Sequence, residues 1–142
     1  MPVIGCAIKS IAAERKNPIS DRLDINSIPK IISVEEREID LAGKQSSVII
    51  GFEFESDYKP DVGNIKIVGE MIYATKDGKD IMKDWKKNKR LPENVDMEVK
   101  NFLFRKCLIL GINLSDELQL PPPIVFPLVM PKKDVDTTKY IG

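Results

Sequence analysis

The sequence predicts an α+β domain in which a four-stranded antiparallel sheet is followed by a short helix and then a long one. Three observations carry that expectation. Residues 47–55 and 65–73 alternate apolar and polar side chains with the two-residue period of half-buried strands. At Asp77-Gly78 the spacing changes to that of a helix. From Pro92 to Leu114 apolar residues recur at three- and four-residue steps.

Taken in order, residues 3–9 place Ile4, Cys6 and Ile8 on one face, with Lys9 near the end, as a first strand. Residues 16–27 are rich in Asn, Pro, Asp and Ser, which fix φ or hydrogen-bond their own backbone, and they read as a loop. Over 30–41, Ile32 and Val34 share a face while Glu35, Glu36, Glu38 and Asp40 crowd the far end as a solvated or edge-protecting charge set; this is a second strand. In the third, Val48, Ile50, Phe52 and Phe54 form the buried face against Ile49, Gly51, Glu53 and Glu55. After a turn over 57–64, Ile65, Ile67, Met71 and Tyr73 alternate with Lys66 and Glu70, so a fourth strand pairs antiparallel with the third.

Residues 79–88 carry Ile81, Met82 and Trp85 at helical spacing. Pro92 with Glu93, Asp96 and Glu98 opens the long helix, because proline is accommodated in the first turn and carboxylates complement the amino-end dipole. Val95, Val99, Phe102, Leu103, Leu110 and Leu114 mark its inner side. Phe104, Leu108 and Ile109 widen the apolar surface beyond one stripe, which calls for contact with more than its own sheet, such as a second subunit. Residues 121–131 hold no charge until Lys132, and their prolines forbid helix while permitting an extended edge segment. Residues 132–142 read as a flexible tail, leaving 1–131 as a single domain.

A chain of 142 residues suits one domain and removes ~68% of its unfolded surface from water on folding. Lys plus Arg and Asp plus Glu both number 22, so no global field steers the protein toward nucleic acid, membrane or acidic substrate. Histidine is absent, which removes the commonest general base and metal ligand at neutral pH, and no enzyme activity, cofactor or metal is expected. Cys6 and Cys107 show no metal-ligand spacing and read as small buried apolar residues in a reducing compartment. The N-terminus lacks the basic and apolar regions of a signal peptide, and no run approaches the ~20 apolar residues of a membrane helix. A cytoplasmic location without membrane insertion is the expectation.

Several motifs carry potential chemistry. Ser27 to Lys30 and Ser56 to Lys59 match S-x-x-K, in which a lysine activates a serine nucleophile, but neither opens a predicted helix. Asn113-Leu114-Ser115 has the form of a glycosylation sequon at a helix end, out of place in a cytoplasmic chain. Glu53, Glu55 and Asp57 lie on the polar side of a strand, where a solvated face outweighs metal binding. Residues 76–90 hold seven cations, Lys76, Lys79, Lys83, Lys86, Lys87, Lys89 and Arg90, against Asp77, Asp80 and Asp84, a net of +4. With Trp85 among them, residues 79–90 could serve an RNA-associated or adaptor module, by phosphate contact and base stacking. A solvated amphipathic helix with Asp and Lys in helical pairs is the simpler expectation.

Phe102-Leu103-Phe104-Arg105-Lys106-Cys107, then Leu118-Gln119-Leu120-Pro121, then 123–130 resemble, in order and spacing, the long helix, Leu-x-Leu-x-Pro stretch and apolar segment of the SecB-type protein-export chaperones. Architecture matches over 48–130 and residues over 102–130. The chain departs from the family in its neutral charge, in the helix with Trp85 and in the Pro121 to Pro123 triplet. The resemblance implies a homo-oligomer, dimer or tetramer, that holds unfolded polypeptide clients in apolar grooves without ATP; the RNA-associated or adaptor module on residues 79–90 is the alternative, with nucleic acid the less expected partner. It implies Ile124, Phe126, Leu128 and Met130 as client surface and Phe102, Leu103 and Phe104 as helix packing or subunit contact.

Overall fold

The computed structural model describes residues 3–40, 44–124 and 129. Its elements are β1 (Val3–Arg15), β2 (Asp24–Asp40), β3 (Lys44–Lys59), β4 (Gly63–Ala74), α1 (Gly78–Asn88) and α2 (Glu93–Glu117). All strand pairs are antiparallel and the spatial order is β1-β4-β3-β2, a Greek key in which β1 lies across the sheet from its sequence neighbour.

The two central strands follow their alternation. Val48, Ile50, Phe52 and Phe54 of β3 and Ile65, Ile67 and Met71 of β4 are all buried on one face. α2 lies on that face and touches all four strands, while α1 covers the β2 and β3 side. The buried residues of α2 are Val95, Val99, Leu103, Cys107, Gly111 and Ser115, an unbroken four-residue repeat. Four residues advance 40° beyond one turn, so this stripe winds round the helix and follows the twist of the sheet below it.

Close approach at the centre depends on Gly69. It pairs with Phe52 on β3 and Ile8 on β1. A Cβ there would stand 2.3 Å from the Ala7 carbonyl oxygen and 3.0 Å from the Phe52 ring. The missing side chain leaves room for the ring and lets β1 close on β4.

The edge strands depart from simple alternation. β1 runs to Arg15, well past residue 9, and is bulged between Val3 and Gly5 and between Ile8 and Ser10. Val3, Cys6 and Ile8 therefore pack on the core, whereas Ile4, expected beside Cys6 and Ile8, is 41% exposed. A bulge between Ile31 and Ser33 does the same on β2: Ile31 joins Val34 on the core and Ile32 is exposed. Residues 24–27, expected in the loop, form the start of β2, because their backbone pairs with 56–59 and Ser27 Oγ meets Ser56 Oγ at 2.7 Å. The remaining connection, residues 16–23, crosses from one sheet edge to the other. Lys16 and Asn17 donate backbone N–H groups to the Val62 carbonyl at 2.8 and 3.3 Å, and Asn17 Nδ2 donates to the Asp61 carbonyl at 2.7 Å. The predicted tail at 132–142 lies outside the described residues.

Replacing the fully buried Phe52 by alanine leaves a cavity in the core and is expected to cost about 3–5 kcal/mol in urea unfolding. Gly69→Ala is expected to destabilise as well, since the added methyl meets backbone, which cannot rotate away. Cys107 gives a pH dependence. Burial first, then the neighbouring Cys6, pushes its thiol from an ordinary 9.0 up to about 12. Between those values only the unfolded chain loses the proton, so stability is complete below pH 9 and falls as pH rises toward 12, by at most about 1.4 kcal/mol per pH unit. Urea titrations at stepwise alkaline pH are expected to show a shallower fall for Cys107→Ala.

Candidate functional site

The candidate site is built from the open edge of β2, the two helices and the chain that leaves α2. α1 is short and strongly two-sided: Gly78 and Ile81 are buried, Met82 and Trp85 pack against the core, and its cations face outward. Lys89 ends it in the left-handed conformation at φ 54°, donating its N–H to the Trp85 carbonyl at 2.9 Å. The same turn brings Lys89 Nζ to 5.6 Å from the centre of the Trp85 ring, so a cation sits over that aromatic face.

Two surface cavities flank α1. A groove of about 720 Å³ runs between β2 and the helices, lined by Pro29 and Ile31 of β2, by Trp85 and Leu91, and by six charged residues, Lys30, Lys89, Arg90, Glu93, Asp96 and Lys100. Pro29 lacks the N–H that would otherwise face outward along this edge. A shallow hollow of about 590 Å³ lies farther along α1 beside β2, with Met82 on its floor and Glu36, Lys79, Lys83, Lys86 and Lys87 around it.

Beyond α2 the chain reverses. Gln119 takes φ 54°, Leu120 is buried, and Leu120 N–H donates to the Ser115 carbonyl at 2.8 Å. Arg15 Nη1 donates to the Gln119 carbonyl at 3.1 Å, tying this turn to β1. The buried Tyr58 hydroxyl donates to the Pro121 carbonyl at 2.5 Å, and burial pushes its pKa up. Pro123 then lies against Gly111, where a Cβ would come to 3.2 Å from its ring. Residues 121–124 thus fold back along α2.

The expected client residues divide accordingly. Ile124 is half-buried at the end of this return, and Phe126, Leu128 and Met130 lie outside the described residues. On α2, Leu103 is fully buried in the sheet interface. Phe102 and Phe104 are half-buried against the same core, and Phe104 meets Phe54 edge-on at 5.6 Å with rings 88° apart. Met97 and Ile109 of α2 remain 59% and 61% exposed.

The serine–lysine motifs do not assemble. Residues three apart on a strand point to opposite faces, so Lys30 and Lys59 face away from Ser27 and Ser56, and the two serines bond to each other instead. Glu53 and Glu55 both pair with Lys66, at 3.6 and 3.7 Å, as a cross-strand surface cluster. Among the described residues no group of three or more Cys, Asp or Glu is placed to hold a metal ion, and no helix is long and apolar enough to cross a membrane. The β2 groove and the Tyr58 clasp escaped sequence reasoning because each joins segments distant in the chain. Pro29 and the acidic set of Glu35, Glu36 and Glu38 were the local signals for an open edge.

No protein-family model matches the chain, and no curated protein matches its sequence. Among solved structures, it is similar to the Mycobacterium tuberculosis Rv1957 SecB-like chaperone in complex with a ChAD peptide from the Rv1956 HigA1 antitoxin. The similarity covers 91% of each chain at a TM-score of 0.58 and 13% identity. This chain has the fold of that SecB-like protein: a four-stranded antiparallel sheet followed by a short and a long helix.

Tyr58→Phe keeps the packed ring and removes the bond to the Pro121 carbonyl. It is expected to lower stability by about 1 kcal/mol in urea unfolding. Faster limited proteolysis beyond residue 120 is expected alongside, as the returning segment loses its clasp.

Proposed function

We propose that this protein is an ATP-independent chaperone of the SecB-like kind that holds unfolded polypeptides on apolar surface. The observation that carries this reading is the shared fold over 91% of both chains with a SecB-like chaperone whose structure contains a peptide from another protein. The chemistry agrees with it. An unfolded chain exposes apolar side chains and unpaired backbone together, and the β2 groove offers Ile31, Trp85 and Leu91 beside an edge strand. Such a surface accepts many sequences, because area and backbone pairing supply the affinity.

We assign clients to this groove and to the apolar segment containing Ile124, Phe126, Leu128 and Met130. Phe102 and Phe104, with the exposed Met97 and Ile109, are assigned to contact between subunits of a dimer or tetramer, whereas Leu103 serves the helix–sheet interface. Free Cys6 and Cys107 suit a reducing compartment such as the cytoplasm. The holding step is proposed here and delivery to an export motor is not, since the net charge of zero departs from the acidic character by which the resembled family docks.

The decisive experiment mixes the protein with a chemically unfolded test protein on dilution, without nucleotide. Aggregation is expected to be suppressed at a near-stoichiometric ratio; no suppression at several-fold excess would sink the reading. Light scattering after size exclusion is expected to give the mass of a dimer or tetramer. A clean monomer would remove the subunit assignment of Phe102 and Phe104.

A further inference from the structure

The basic hollow on α1 has no place in client holding, since an apolar client gains nothing from four lysines. Its geometry is specific. Taking α1 at 100° per residue, Lys79, Met82, Lys83, Lys86 and Lys87 fall within one arc of 140°, beside the buried side of Ile81 and Trp85. Asp80 and Asp84 fall outside that arc, about 20° and 60° beyond Lys87. The expected Asp–Lys pairs of α1 do not form: among the described residues the ion pairs include none of Lys79, Lys83, Lys86 and Lys87. The one helical pair is Lys100 with Asp96 on α2, at 3.0 Å. A neutral chain has therefore gathered positive charge on one side of one helix and left it facing a hollow with an apolar floor.

We propose that this hollow is a docking site for an acidic polypeptide segment in extended conformation, of the pattern acid–x–apolar–x–acid, distinct from the client surface. Spacing supports the pattern. Along α1 the rise from Lys79 to Met82 and Lys83 is ~4.5–6 Å, and to Lys86 and Lys87 ~10.5–12 Å. In an extended chain, side chains on one face recur every ~6.8 Å, so residues i, i+2 and i+4 reach Lys79, the Met82 floor and the Lys86–Lys87 pair in turn. Methionine is flexible and polarizable, which suits a floor that receives a leucine or phenylalanine. Glu36 on the wall is placed to accept hydrogen bonds from backbone N–H groups of a peptide, donors that a phosphate backbone lacks. The neighbouring aromatic, Trp85, is half-buried beneath Lys89, so base stacking is not what this surface offers. Charge complementarity and the carboxylate on the wall together favour an acidic peptide over nucleic acid.

The test uses the full chain and a fluorescein-labelled peptide of sequence serine–glutamate–serine–leucine–serine–glutamate–serine, read by anisotropy. Saturable binding at about 20 mM salt is expected to weaken at least about tenfold at about 200 mM. The double variant Lys83→Glu/Lys87→Glu is expected to lose at least about tenfold in affinity while keeping its circular dichroism and melting temperature, because both side chains are exposed. Met82→Ala is expected to weaken binding without changing its salt dependence. Equal binding of the peptide with both glutamates replaced by glutamine would overturn the proposal, as would unchanged binding by the double variant. Tighter binding of a single-stranded RNA oligonucleotide of matched charge would overturn it in favour of nucleic acid. The double variant is expected to suppress aggregation as well as the unaltered protein does. Loss of suppression together with peptide binding would show one shared site and overturn the separation. Peptide binding in a protein that suppresses no aggregation would uphold the hollow and sink the chaperone reading alone.

Discussion

One apolar face on the two central strands, and the need to cover it, organises this molecule. β3 and β4 together present Val48, Ile50, Phe52, Phe54, Ile65, Ile67 and Met71, all essentially removed from water. Burying a side chain of this size stabilises by about 1.5–3 kcal/mol, so the face cannot stay open. α2 closes it, and the four-residue repeat from Val95 to Ser115 keeps helix and twisted sheet in register along the full length. The edge strands then complete the same layer: β1 contributes Val3, Cys6 and Ile8, and β2 contributes Ile25, Ile31 and Val34. The crossover of residues 16–23 is what puts them on opposite sides. Eight residues reach ~26 Å when extended, and the three strand spacings to be crossed amount to ~14 Å. The bonds of Lys16 and Asn17 to the β3–β4 turn take up the slack.

Placing β1 and β2 at the rims leaves two long strands with one side unpaired. Such edges invite another chain, and this sheet moderates them with bulges on both, with Pro29 and with the glutamates of β2. The moderation is uneven. Along β2 it coincides with a groove whose walls include Ile31, Trp85 and Leu91, so backbone and apolar surface are offered side by side. The open edge thus comes from the same topology that builds the core.

Charge is arranged on a finer scale than the net value of zero conveys. On the sheet face away from the helices, cations and carboxylates neutralise one another, as in Lys9 with Glu70 at 3.0 Å and Lys66 with Glu53 and Glu55. α1 differs: its lysines gather on one arc and enter none of the ion pairs among the described residues. A groove of mixed apolar and charged lining and a basic hollow thus both adjoin one short helix.

Local pattern determined the central strands and both helices, because a buried face on a regular element repeats at the period of that element. Val48 to Phe54, Ile65 to Tyr73, and the 95-99-103 series of α2 were all legible for this reason. Alternation also gave the polar role of Glu53 and Glu55. It failed on the edges. Ile4 and Ile32 were placed on the buried face, yet each is the extra residue of a bulge, which hands its place to Val3 or Ile31. A bulge answers to the strand alongside, which the chain meets only after folding. The same holds for the Ser27–Ser56 contact that made 24–27 a strand, and for the β2 groove, where strand and helices come from opposite halves of the chain. The Tyr58 clasp on Pro121 joins residues 63 positions apart. The sequence by itself determined which elements form and which of their faces are apolar; only the tertiary structure decided the phase of the edges and the shape of the surfaces between elements, because those depend on contacts that periodicity along one segment does not encode.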